Sequence, residues 1–236
     1  MRFFQPSKRA QLDKNPTEVA EMFSAVAPRY DLVNDLASLG QDRRWRAAVA
    51  EALKPQPGEL ILDVAAGTGA SSVSIARSGA SVVSTDLTEG MVAVGHRRHP
   101  DQVFVVGDAT NLPYADGVFD AATSSFGLRN VCDPSKALSE LLRVVRPGGT
   151  LVICEFSTPT STLMRWLNYR WLAIALPIVS TIASSNAVAY SYLSDSILEW
   201  PDQHGLAVML ETAGWTNIQW RNLTGGIVAM HRAIRP

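Results

Sequence analysis

The sequence predicts a doubly wound α/β domain with a seven-stranded, mostly parallel sheet that ends in an antiparallel hairpin. Three observations carry this prediction. The apolar run Leu60 to Val64 passes directly into Gly67-Thr68-Gly69, as a strand covered on both faces does when it delivers the chain to a ligand. Two further strand candidates, Ser81 to Thr85 and Val103 to Val106, close on Asp86 and Asp108, so that with Asp63 three successive strands end in an acid. Parallel strands point their C-terminal ends at one edge, which sets the three acids along one crevice. Finally, only three or four residues around Gly225 join Trp215 to Arg221 with Gly226 to His231, whereas a parallel crossover needs about a dozen.

The other elements follow in chain order. Asn15-Pro16-Thr17-Glu18 starts a helix, with asparagine as N-cap and Val19, Met22, Phe23 and Val26 on one face. Ala70 to Arg77 is a helix whose first amides face the group held by the glycine turn. Thr88 caps a helix from Glu89 to Arg98. Asp133-Pro134 opens another, striped by Leu138, Leu141, Leu142 and Val145 and stopped by Arg146-Pro147-Gly148-Gly149. Phe119 to Ser125 and Thr150 to Phe156 are the fourth and fifth strands, and the stripe Leu206, Met209, Leu210, Ala213 stops at Gly214. Helices thus cover both faces, with a helical insertion after the fifth strand.

Composition bounds the function. The 236 residues are 47% hydrophobic, enough for one α/β core in a single domain spanning 1–236. With 21 basic residues against 22 acidic ones there is no basic excess, so no nucleic-acid partner is expected. Cys132 and Cys154 provide neither a disulfide framework nor a metal set; both are expected as buried thiols, and no metal is expected. Met1 to Asp13 is polar and basic, unlike a signal peptide. Trp171 to Ala183 falls short of the roughly 20 apolar residues of a spanning helix. The expected location is cytoplasmic.

Gly67 and Gly69 lack a Cβ that would obstruct a bound group. The turn is not a complete dinucleotide fingerprint, because Ser72 stands at the third glycine position. A nicotinamide oxidoreductase is therefore disfavoured, and the lack of a lysine in the turn argues against a phosphate cradle.

An α/β sheet with an acid closing each of its first three strands and a terminal antiparallel hairpin is similar to the class I S-adenosylmethionine-dependent methyltransferases. Four segments place it more closely. Tyr30-Asp31-Leu32-Val33-Asn34 through Ser38 to Trp45, and Arg143-Val144-Val145-Arg146-Pro147-Gly148-Gly149 running to Glu155-Phe156-Ser157, resemble the two signatures of the ubiquinone/menaquinone biosynthesis C-methyltransferases. Phe126-Gly127-Leu128-Arg129-Asn130-Val131 and Asn222-Leu223-Thr224-Gly225-Gly226-Ile227-Val228 also resemble that family. The likeness runs from about Phe23 to the C-terminus and is greatest to the demethylmenaquinone-methylating branch. Asp42 stands where many members carry histidine, and Arg146 where lysine is commoner.

The resemblance implies S-adenosylmethionine as methyl donor along the acid-lined edge. Carried over by position, Asp63, Gly67, Thr68 and Gly69 belong to the donor site, with Thr68 and the glycine backbone at the methionine portion. Asp86 meets the ribose, Asp108 and Ala109 the adenine, and Ser125 closes the donor pocket. The implied acceptor is a prenylated naphthoquinol, methylated on a ring carbon in the last step of menaquinone synthesis. The benzoquinol precursor of ubiquinone is the alternative.

A sulfonium methyl is already electrophilic, so the protein must chiefly hold an aromatic carbon in line with it in a dry site. Ionising a ring hydroxyl helps, and an unperturbed phenol has a pKa of about 10. Arg129 and Asn130, just past the fourth strand, are the catalytic candidates, Arg129 stabilising the oxyanion or a water and Asn130 orienting it. An ion pair with Asp133 or Asp120 is the structural alternative for Arg129. Tyr30, also a catalytic candidate, and Asn34 are expected to close over substrate as part of an N-terminal helical lid, 1–57. Packing for Tyr30 and helix capping for Asn34 are the plainer readings. His96 and His99 read as part of a solvated helix face, His204 as a residue in the first turn of a helix, and His231 as structural.

Segment 160–200, with Trp166, Trp171, Leu172, Ile174, Leu176, Ile178 and Val179, is more apolar than the sheet requires. It reads as a helical acceptor cover in transient contact with the inner face of the membrane, Arg165 and Arg170 meeting headgroups. Ser184-Ser185-Asn186 and Tyr190 are candidate ring-pocket residues. A helical pair packed on the sheet, or a homodimer contact, is the alternative for this segment. A non-catalytic scaffold retaining the donor fold is the rival for the whole chain.

Overall fold

The structure, a computed structural model, describes residues 15–175 and 187–236. The expectations for Met1 to Asp13, for residues 176–183 of the apolar run and for Ser184-Ser185-Asn186 lie outside these residues.

The chain runs α1 (Pro16–Val26), a 3-10 turn, α2 (Tyr30–Ala37), α3 (Gln41–Leu53), β1 (Leu60–Val64), α4 (Ala70–Ala76), β2 (Ser81–Asp86), α5 (Glu89–Arg98), β3 (Val103–Val106) and β4 (Phe119–Ser125). A 3-10 turn (Leu128–Asn130), α6 (Pro134–Val144), β5 (Val145–Phe156), α7 (Thr162–Arg170), α8 (Ala187–Glu199), α9 (Gln203–Thr212), β6 (Thr216–Leu223) and β7 (Val228–Ile234) complete it. Asn15 caps α1 by accepting from the Thr17 amide, and Asp133 caps α6 by accepting from that of Lys136. Thr88 makes no side-chain cap on α5.

The seven strands lie in the order β3-β2-β1-β4-β5-β7-β6. Neighbours from β3 to β5 are parallel, while β7 is antiparallel to both β5 and β6, which is the expected hairpin with its second strand inserted inward. Strand order reverses between β1 and β4. In such sheets the crevice at that reversal, outside the carboxyl ends of the strands, is where ligands enter.

The pleat sends successive side chains to opposite faces. Leu62 and Val64 therefore join Leu138, Leu141, Leu210 and Trp215 under α6 and α9, while Ile61 joins Trp45, Val49, Ile75 and Val152 under α3 and α4. Trp215 is fully buried and its indole N–H donates to the Leu138 carbonyl at 3.1 Å, so its one polar group is satisfied. Trp45, Ala48, Val49 and Leu53 bury one side of α3 on the sheet, while α1, α2 and the first turns of α3, with Gln41, Asp42 and Arg46, line the crevice.

Helix α6 stops just before Arg146-Pro147-Gly148-Gly149 as expected, but Val145, expected on its stripe, is already in a strand. The helix ends at Val144, and these residues begin β5 with a register shift opposite Phe119 and Ala121. Gly149 permits this, since a Cβ there would lie 2.6 Å from the Asp120 carbonyl oxygen.

Candidate active site

Beyond β1 the backbone turns through Ala65 (φ +53°) and Gly67 (φ +58°), exposing the Gly67 amide at the carboxyl edge of the sheet. That amide donates to Asp86 Oδ2 at 2.8 Å, and the Thr88 amide donates to Asp86 Oδ1 at 2.8 Å. A carboxylate has about four acceptor sites. The Thr88 hydroxyl takes a third, which leaves acceptor capacity for one further hydroxyl. Burial raises the Asp86 pKa, against the pull of its amide donors.

Two cavities meet at this edge. The first lies over the ends of β1, β2 and β3 and is walled by Gly67, Asp86, Leu87, Met91, Asp108 and Ala109. Asp108 Oδ1 accepts from the amide and hydroxyl of Thr110, which fixes the loop and presents Ala109 to the cavity. Asn130 closes this cavity from the β4 side, and its Oδ1 is buried without a partner. Cys132 lines the same rim and is exposed, contrary to the expected buried thiol; Cys154 is buried.

The second cavity measures about 480 Å³ and lies between the turn, α2 and the insertion. Phe126, Phe156, Leu172 and Ile197 give it an apolar wall, and the rings of Trp45, Phe126 and Phe156 pack tilted or edge-on with centroids 5.2 to 6.4 Å apart. Tyr30, Ala65, Gly67 and Phe126 line both cavities, so the two open onto each other at the glycine turn.

Arg129 lines the larger cavity while only 3% exposed. Its Nη1 donates to Glu155 Oε1 at 2.9 Å and to the Phe126 carbonyl oxygen, and its guanidinium lies 5.1 Å from the centroid of the Phe156 ring. The expected alternatives do not form. Asp120 accepts from Arg146 instead, and Asp133 caps α6. Arg129 Nε has no partner. Asp42 also faces this cavity, ion-paired with Arg46 at 3.3 Å.

Several expected residues are placed differently. Asp63 is buried beneath the turn rather than at either cavity, accepting from Ser72 Oγ at 2.6 Å, and burial lifts its pKa to about 7. Gly69 (φ +83°) lines neither cavity, and a Cβ there would lie 2.5 Å from the Phe104 ring. Its glycine serves packing. Thr68 and Ser125 line the larger cavity, not the one beside Asp86 and Asp108, and Asn130 is separated from Arg129 by facing the smaller. Asn34 lines the larger cavity as expected. The Tyr190 side chain lies outside the described residues, whereas Tyr192, which sequence reasoning passed over, lines that cavity. His231 is structural, with Nε2 at 2.8 Å from the Gln203 carbonyl oxygen and its ring stacked on Trp220.

A profile of the ubiE/COQ5 methyltransferase family matches residues 11–235. The chain belongs to that family. Demethylmenaquinone methyltransferase of Paenarthrobacter aurescens is 57% identical over 97% of this chain and 90% of its own. That of Mycolicibacterium gilvum is 56% identical over 97% and 99%. Among solved structures, the [4+2]-cyclase SpnF aligns with a TM-score of 0.66 at 19% identity over 98% of this chain and 99% of that one. Phosphoethanolamine N-methyltransferase 2 of Haemonchus contortus, in complex with S-adenosyl-L-methionine, aligns at 0.62 and 17% over 81% and 52%. At these identities the likeness is one of fold. The ubiE/COQ5 chain thus has the class I methyltransferase fold expected from its acids and terminal hairpin.

Among the described residues no group of three or more His, Cys, Asp or Glu could hold a metal, and no helix is long and apolar enough to cross a membrane.

Proposed function

We propose that this methyltransferase transfers a methyl group from S-adenosylmethionine to a ring carbon of demethylmenaquinol. The observation that carries the reading is the meeting of the two cavities at Gly67, one edged by acids and bare backbone, the other apolar and holding Arg129. The names of the relatives agree with it.

The smaller cavity suits the donor. Asp86 has acceptor capacity for a ribose hydroxyl, Asn130 Oδ1 offers an acceptor toward the adenine amino group, and Ala109 packs against the base. Thr68 and Ser125 sit beyond the glycine turn, where the donor's methionine end would face the acceptor. When bound, the donor supplies an electrophilic methyl group.

The larger cavity suits a prenylated aromatic ring. A guanidinium stays protonated and cannot take the hydroxyl proton itself. Arg129 instead stabilises the ring oxyanion through its unpaired Nε side, or orders the water that removes the proton. Since Glu155 balances its charge, this works through directed hydrogen bonds more than through net charge. Tyr30 and Asn34 close the ring from α2 and exclude water.

Access for a lipid tail is consistent with the exposure of Leu167, which lines this cavity, of Leu163, Trp166 and Tyr169 on the same helix and of Ile174 just after it, and with Arg170 lying 5.0 Å from the Trp166 ring. These residues support transient contact with the inner face of the membrane.

Purified protein supplied with labelled donor should methylate demethylmenaquinol under anaerobic conditions. No labelled menaquinol would refute the reading, and preferential labelling of the polyprenyl benzoquinol would move the acceptor to the ubiquinone precursor.

A further inference from the structure

Tyr192 is only 2% exposed, and its hydroxyl is buried with no hydrogen-bond partner. Its ring is held by Val19 and Met22 of α1, and α8 packs on the turn that carries Arg129. The same side chain lines the larger cavity, whose wall is otherwise largely aromatic and aliphatic. Three residues of that wall, Tyr192 through Oη, Arg129 through Nε and Ser125 through Oγ, therefore carry a buried polar atom without a partner. A buried donor without an acceptor is costly, and natural cores rarely keep several unless a ligand completes them.

We infer that Tyr192 is a second hydrogen-bonding residue for the acceptor, donating to an oxygen of an aromatic diol whose ring is seated against Arg129. The inference rests on the proposed quinol substrate and adds the residue that selects an oxygenated ring over a plain hydrocarbon. An apolar wall alone cannot make that distinction strongly, whereas a donor that must be satisfied can. Burial raises the Tyr192 pKa, though nearby Arg129 opposes this, so the phenol remains a proton donor at neutral pH. The role is thus donation to a ring oxygen, with proton removal left to water or another group.

Tyr192→Phe tests this, because it keeps the ring packed against Val19 and Met22 and removes only the oxygen. Methyl transfer to demethylmenaquinol should fall roughly 10-fold in kcat/KM, the loss of one hydrogen bond to a partly charged oxygen. The calorimetric affinity for S-adenosylmethionine should stay unchanged, and the melting temperature of the unliganded protein should not fall, because the variant removes a buried unpaired hydroxyl. A binding measurement separates the inference from the proposed reaction. Wild-type protein titrated by tryptophan fluorescence should prefer 1,4-dihydroxynaphthalene to naphthalene, and the variant should lose that preference. Equal affinities in the wild type, or a preference that survives in the variant, would overturn the role of Tyr192. Absence of methyl transfer by the wild type would remove the proposed function, while the binding preference would still decide the residue.

Discussion

The Thr68 hydroxyl donates to the Asp31 carboxylate at 2.8 Å, and this contact fastens helix α2 to the glycine turn. Arg98, at the end of α5, forms an ion pair with the same carboxylate and donates to the Pro28 carbonyl oxygen at 3.0 Å. The cover over the site is therefore tied to two elements of the sheet layer through one acid. Tyr30, the residue before it, lines both cavities, so the tie also places the side chain at their junction.

Removing the tie with Asp31→Ala should loosen the cover without unfolding the sheet. Ion pairs this exposed contribute about 0 to 1 kcal/mol, and a hydrogen bond to a charged group about 1.5 to 3 kcal/mol before solvent competes. Amide hydrogen exchange should accelerate in α1 and α2 while β1, β4 and β5 keep their protection. Unchanged exchange in α2 would show that apolar contacts alone hold the cover.

Asp63 makes stability pH-dependent. Its pKa rises from 3.8 unfolded to about 7 folded, mainly through burial, with Ser72 and Arg46 opposing. The folded state then holds the proton more tightly, so this contribution is present below about pH 4 and is lost as pH rises through 7. At pH 8 the buried carboxylate costs on the order of 2 to 4 kcal/mol. Asp63→Asn keeps an acceptor for Ser72 and removes the titration. Its melting temperature should gain several degrees on the wild type between pH 5 and pH 8, and a constant difference across that range would contradict the assignment.

The strand edges were legible because each rests on a local pattern: an apolar run, an acid at its end, and a joint too short for a crossover. Side-chain direction at the site was less legible, because it depends on residues remote in the chain. The glycine at 69 is also required by Phe104 of β3, 35 residues on, which no local spacing reveals. Asp63 shares its strand-end position with Asp86, but Ser72 of the following helix turns it inward. Arg129 had nearby acids in sequence, and its partner is Glu155 on the adjoining strand, for which no local spacing argues. Tyr192 is hidden in an apolar helix by the same limit. The family signatures recover some of this, since they span separated segments that the sheet brings together.

The two glycines of the turn should respond differently to alanine. Both sit at positive φ, where an L-residue costs roughly 1 to 2 kcal/mol. At Gly67 the added methyl would meet Tyr30 at an ordinary 3.9 Å. At Gly69 it would meet the Phe104 ring at 2.5 Å, and that ring has no retreat because Gly95 faces it from α5 with equally little room. Gly69→Ala should therefore lower stability by about 1 to 3 kcal/mol more than Gly67→Ala in urea unfolding. Gly67→Ala should instead weaken donor binding, by narrowing the junction of the cavities. Equal stability losses would mean that Phe104 moves more freely than its packing implies.

Arg129 and Glu155 require a paired test. Removing either partner leaves a charge buried at 3% or 1% exposure, a cost of about 3 to 5 kcal/mol. Arg129→Ala will therefore lose activity partly because the protein is less stable, and alone it cannot assign chemistry. The double variant Arg129→Met with Glu155→Met replaces the pair by apolar groups of similar length. Such replacements are often neutral in stability. The double variant should melt within a few degrees of the wild type, bind S-adenosylmethionine normally, and still lose at least about 100-fold in turnover, as for removal of an oxyanion donor. Recovery of turnover along with stability would confine Arg129 to holding the β4 and β5 ends together.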